Sequence, residues 1–174
     1  MNLRRTLSVA ALVFLFLTPH LFNQPARAQS NPSLGGLTSM FVRVNPEEPS
    51  GEQTAGVDEK QVKSDTERQL AEGGIKVLSE QEFARLQRSR GYPLALVDVV
   101  SKLFPVKGTD SRIYFVDVKV RQLVFLSRKP VVRLWAATWE MRNIGITADM
   151  DLVREKVRDA VSQLVSDYQA ENQR

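Results

Sequence analysis

Between Arg112 and Ser127 the apolar residues Tyr114, Val116, Val118, Val120, Val124 and Leu126 fall on every second position. At a period of two these side chains share one face of an extended strand, and no helix would gather them on one side. A strand this long with one apolar face needs lateral partners and a covering layer. The flanking sequence supplies both. Ser127-Arg128-Lys129-Pro130 reads as a turn into a further strand, Val131 to Ile144, with Pro130 at the turn or strand start because it donates no ladder bond. Leu94 to Leu103 reads as the strand before, completing an antiparallel meander.

Upstream the pattern alternates between strand and helix. Leu37 to Val44 reads as a first strand, and Pro46 to Gly56 as a Pro-, Glu-, Ser- and Gly-rich loop, the expected flexible insertion. Asp58 to Glu72 reads as a helix capped by Asp58, with Gln61 placed to return the bond. Val62, Thr66 and Leu70 share one helix face, and Gly73-Gly74 provides the stop. Ile75 to Leu78 is a short second strand, and Ser79 with Glu82 makes a capping box for a brief helix through Leu86. After the meander, Val153, Val157, Ala160, Val161, Leu164 and Tyr168 recur at helical spacing in a final helix, Met150 to Ala170. Strands one and two, joined through a helix, are expected to be parallel. The fold class is therefore α/β (α+β), a two-layer sandwich of order β-α-β-(short α)-β-β-β-α. About five strands form a mixed sheet, with the two main helices on one face.

The amino terminus reads as an export signal over residues 1–28. Arg4 and Arg5 precede the apolar run Leu7 to Leu17, Thr18-Pro19-His20 breaks it, and Ala26-Arg27-Ala28 presents small residues for cleavage before Gln29. A spanning helix needs about 20 apolar residues, and Pro19 interrupts this run too early. Residues 29–36 then read as a flexible leader, and 37–174 as a single domain. With no Cys to carry a lipid, the expectation is a protein without a stable membrane anchor after cleavage, periplasmic or secreted.

Removing the signal also changes the charge. Arg4, Arg5 and Arg27 leave with no acid, which takes the formal +4 of the whole chain to +1. That is too little excess for a nucleic-acid partner. The single histidine, His20, falls within the signal, and the chain has no Cys. Thiol nucleophiles, Ser-His-Asp triads and the common zinc sites are then unavailable. No metal or cofactor is expected, and Gly35-Gly36 and Gly73-Gly74 lack the spacing of a phosphate loop.

Several segments carry a resemblance. Leu70-Ala71-Glu72-Gly73-Gly74-Ile75-Lys76-Val77-Leu78-Ser79-Glu80, the stretch Val118 to Leu126, Ala137-Thr138-Trp139 and the ending Ser166-Asp167-Tyr168-Gln169-Ala170-Glu171-Asn172 resemble a family of uncharacterised bacterial exported α/β proteins. The order of elements is more loosely similar to envelope α/β domains, such as the amino-terminal domain of the Tol-Pal propeller protein and the lipoprotein activators of peptidoglycan synthases. The resemblance implies this fold and, by analogy, a periplasmic binding or adaptor role; it implies no catalytic residue.

Candidate binding residues come from the sheet face away from the helices. With a turn at Arg128-Lys129, Val124 faces Leu134 and Val120 faces Thr138. The odd positions Lys119, Arg121, Leu123 and Phe125 then share the other face with Arg133, Trp135, Ala137 and Trp139. Two Trp four residues apart on a strand lie about 13 Å apart on one face. Lys119 and Arg121 would stand beside Trp139, and a one-residue slip would exchange the faces. Lys119, Arg121, Phe125, Trp135 and Trp139 are thus the expected binding set, for an envelope protein or, alternatively, for peptidoglycan or another glycan stacked on the indoles. Burial of the Trp under the loop or the short helix is the competing expectation. Asp98, Asp117 and Glu140 are the only basis for a third reading, a carboxylate hydrolase; strand carboxylates more often pair with Lys or Arg. Gln122, among valines, is expected to be a satisfied buried amide, and Arg85, Arg88 and Arg90 to mark a solvated helix end.

Overall fold

The computed structural model describes residues 31–46, 57–88 and 94–173. The export signal and all but Pro46 of the loop at 46–56 lie outside the described residues, as does Arg90.

Each helix begins on a side chain that satisfies its free amides. Asp58 accepts from the amides of Lys60 and Gln61 to open α1 (Glu59–Glu72). Ser79 and Glu82 close the expected capping box on α2 (Glu80–Gln87), and Asp149 accepts from Asp151 at the start of α3 (Met150–Asn172). One detail differs. Gln61 does not return a bond to Asp58; its amide donates instead to Asp65 Oδ1 at 3.0 Å, one turn on.

The strands are β1 (Ser39–Val44), β2 (Lys76–Val77), β3 (Leu94–Pro105), β4 (Arg112–Leu126) and β5 (Lys129–Thr147), in one sheet of order β2-β1-β3-β4-β5. β1 runs parallel to β2 and β3, while β3, β4 and β5 form the antiparallel meander. This is the mixed α/β fold that the element order predicts. Asn45 ends β1 at a φ of 45°, which Asn tolerates better than most residues. Its Oδ1 accepts from the Ser101 amide and its Nδ2 donates to Glu59, fixing the start of α1 over the sheet.

α1 and α3 cover one face. Val62 and Leu70 from α1 and Val153, Val157, Val161 and Leu164 from α3 pack on Met40, Val42, Val97, Val99, Val116, Val118 and Val120. Full burial of each such side chain contributes about 1.5–3 kcal/mol, so this layer dominates stability. Asp65 on α1 joins Arg154 on α3 at 3.0 Å.

Residues 31–36, expected to be a flexible leader, are folded. Pro32–Leu34 form a 3-10 turn, and the Leu34 side chain is fully buried between α3 and the sheet. Asn31 Nδ2 and Ser33 Oγ donate to the Thr138 carbonyl, and Gln122 Nε2 donates to the Ser33 carbonyl. Asn172 at the end of α3 accepts from the Gly36 amide and donates to the Leu34 carbonyl. An apolar anchor and polar partners hold a segment whose Pro and Gly content alone reads as loop. Gln122 also donates to Thr138 Oγ1, so its amide is satisfied as expected, although the residue is half-buried and not buried. Among the described residues no helix is long and apolar enough to cross a membrane.

Candidate functional site

Among the described residues, the other sheet face is covered only at one end. There α2 lays Phe83 and Leu86 over Phe41, Leu78, Leu94 and Leu96. Phe83 stacks on Phe41 with ring centroids 4.6 Å apart and lies tilted against Trp135 at 6.5 Å. Trp135 is therefore half-buried, held on one side by the short helix.

A band of charge crosses the middle of this face. Cross-strand register sets Arg43 beside Asp98, Asp98 beside Lys119, and Lys119 beside Glu140, with Asp117 beside Arg142. Arg43 grips Asp98 with two bonds of 2.7 and 2.8 Å, and Arg121 approaches the same carboxylate at 3.5 Å. Lys119 Nζ meets Asp117 at 2.8 Å, Arg142 meets Asp117 at 3.3 Å, and Arg142 also pairs closely with Glu140. Bonding to Asp117 raises the Lys119 ammonium above its ordinary pKa, against the opposing effect of burial; the charges of Asp117 and Glu140 act in the same direction. Asp117 is only 2% exposed, yet among the described residues its Oδ1 has no hydrogen-bond partner. Long Arg and Lys stems shield these carboxylates while their charged heads reach the solvent.

The three carboxylates of the hydrolase reading do meet in this band. Each has a guanidinium or ammonium within 4 Å, which is the setting of structural ion pairs.

Beyond the band the face turns apolar again. Phe104 pairs with Ile113, Ile113 with Ile146, and Phe115 with Ile144 across the strands. Ile144 and Ile146 are 63% and 66% exposed, with Phe104 and Ile113 also open.

The expected binding residues divide between the two faces. Lys119, Arg121, Phe125 and Trp135 lie on the face away from α1 and α3, and the register Leu123 to Trp135 and Arg121 to Ala137 is as expected. Trp139 does not join them. The register shifts between Val120 and Arg121, so Val120 faces Trp139 instead of Thr138 and Lys119 faces Glu140. The extra residue, Thr138, is held by Gln122 and Ser33, and the bulge turns Trp139 under α3. There it is 7% exposed and donates Nε1–H to Asp167 at 2.7 Å. The expected pairing of Lys119 and Arg121 with this indole is absent accordingly; the cation–ring contacts among the described residues are Arg142 over Phe115, Arg133 over Phe125 and Lys63 over Phe41. Arg43 and Arg142 belong to the band and were not among the expected residues.

A pocket of about 270 Å³ opens between the band and the aromatic end, lined by Asp98, Lys119, Arg121, Trp135, Ala137 and Glu140. A broader hollow of about 710 Å³ lies at the bulged edge of β5. Its polar side chains are largely satisfied, Trp139 and Gln163 donating to Asp167 and Asn31 to the Thr138 carbonyl.

These features define a two-layer α/β sandwich with one sheet face given to helices and the other only partly covered by the described residues. No family model and no curated protein matches the chain. Among solved structures, it is similar to a PelC dodecamer from Paraburkholderia phytofirmans carrying one substitution (17% identity, 80% of this chain and 94% of that one, TM-score 0.41). A second PelC dodecamer structure from the same organism gives 16% identity, 80% and 93% coverage, and a TM-score of 0.39. A minor lipoprotein from Acinetobacter baumannii gives 6% identity, 75% and 94% coverage, and a TM-score of 0.27.

Proposed function

We propose that this chain is an exported binding or adaptor domain whose partly covered sheet face receives a protein of the cell envelope. The observation that carries the reading is the contiguous patch of Phe104, Ile113, Ile144 and Ile146, open to water across three strands. Monomeric proteins rarely leave such apolar groups together in solvent unless something docks there. The adjoining band of Lys119, Arg121, Glu140 and Arg142 would set the orientation of the partner by charge, and Trp135 supplies a large ring at the opposite end. Export rests on the charged start, the apolar run and the Ala26-Arg27-Ala28 site.

A photoreactive residue in place of Ile144 should form one dominant protein adduct in intact cells, and Ile146→Asp should abolish it. The same probe at the exposed Glu155 on α3 is the control. Equal labelling at both positions would sink the reading. A glycan ligand is the second reading, favoured by the pocket in which an indole meets polar groups. Co-sedimentation with purified sacculi, lost in Trp135→Ala, would support it over a protein partner.

A further inference from the structure

The β4–β5 hairpin tip combines two properties that the central face does not share. First, it exposes apolar side chains in both directions. Leu123 and Phe125 point to the partly covered face, while Leu134, paired with Val124, points to the opposite one, and the register shift between Phe125 and Leu126 leaves the exposed Val131 and Val132 outside the ladder. Val131 is 90% exposed and Phe125 57%. A sheet edge of this kind is not relieved by a partner on one side, because the other side stays wet. A medium that surrounds the tip relieves both.

Second, charge is segregated along the chain. Between Asp117 and Glu140 there are five Lys or Arg and no acid, and Arg128, Lys129 and Arg133 sit at the tip itself. Arg133 lies over the Phe125 ring at 5.1 Å, with its stem along the apolar surface. The chain after signal removal is nearly neutral, so this concentration is local.

We infer that the hairpin tip docks on an anionic phospholipid surface, with Phe125, Val131 and Leu134 entering the headgroup boundary while Arg128, Lys129 and Arg133 meet lipid phosphates. Apolar area set among bases is the chemistry of interfacial binding, and each base adds to the attraction of an anionic leaflet. The contact is peripheral and reversible, and it uses different residues from the proposed protein-binding patch.

The test uses the chain beginning at Gln29, which keeps every described element of the fold. Co-sedimentation is measured with vesicles of phosphatidylethanolamine and phosphatidylglycerol and with vesicles of phosphatidylcholine alone. Binding to the anionic vesicles only, weakened by added salt, is the expected result. Arg128→Glu with Lys129→Glu should weaken it about 30-fold or more, from the attraction per base near such a surface. Phe125→Ser with Val131→Ser should weaken it about tenfold. Both pairs are at exposed positions, and unchanged thermal unfolding would show that the fold is intact. Ile144→Asp should leave vesicle binding unaltered, which separates this inference from the protein-partner reading. Failure to bind anionic vesicles, equal binding to neutral ones, or tip variants that bind like the parent would overturn it. So would sedimentation equilibrium showing that the tip variants disperse a dimer, since the tip would then be covered by a second copy.

Discussion

Two indoles four residues apart lie on opposite faces of the sheet, and a single inserted residue separates them. Trp139→Ala should cost about 3–5 kcal/mol in urea unfolding, as a large buried ring is lost and Asp167 keeps Gln163 but loses its indole donor. Trp135→Ala should cost about 1 kcal/mol, because the ring is half-buried at the margin of the small cluster beside Phe83. Similar losses for both would mean that the bulge at Thr138 does not divide the faces. The bulge had a signal in the sequence. Before it the outward charge on β5 is at an odd position, Arg133, and after it at even positions, Glu140 and Arg142. Strict alternation over the whole strand overlooks that change of parity. The face of Lys119, Arg121 and Phe125 was legible because the inserted residue lies on β5 and not on β4, and that of Trp135 because it precedes Thr138.

At the scale of elements, the helices were legible nearly to the residue, since caps and apolar periodicity agree locally. What holds α1 to α3 at the surface was not, because Asp65 and Arg154 are 89 residues apart. The Arg154 guanidinium bonded to Asp65 holds that carboxyl below its usual value of 3.8, with smaller help from Gln61 and Arg68. A carboxyl depressed in the fold stabilises it above the unfolded pKa and loses that contribution as pH falls through the folded value. Asp65→Asn should therefore lower the melting temperature at neutral pH, and the gap from the parent should close in acid below about pH 4. A gap that persists undiminished in acid would assign the loss to packing instead. The charge band illustrates the same limit. Arg43, Asp98, Asp117 and Arg142 are isolated polar interruptions in four strands, and only sheet order and register reveal that they lie side by side.

For the molecule as a whole, the meander and the helix layer follow from periodicity, whereas the role of residues 31–36 does not. Composition marked them as linker, and the long-range contacts of Leu34, Ser33 and Gly36 make them structural. Leu34→Ala should destabilise the domain by about 2–5 kcal/mol, a loss readable in urea unfolding. An unchanged midpoint would return the segment to the status of linker. The contact of Gly36 and Leu34 with Asn172 brings the beginning and the end of the described chain to one corner. A circular permutant that links Gln173 to Asn31 there and opens the chain at the exposed turn after Val106 should reach the same architecture. A reporter joined just before Asn31 or just after Gln173 would emerge at that corner, leaving the ion-paired sheet face free for surface immobilisation.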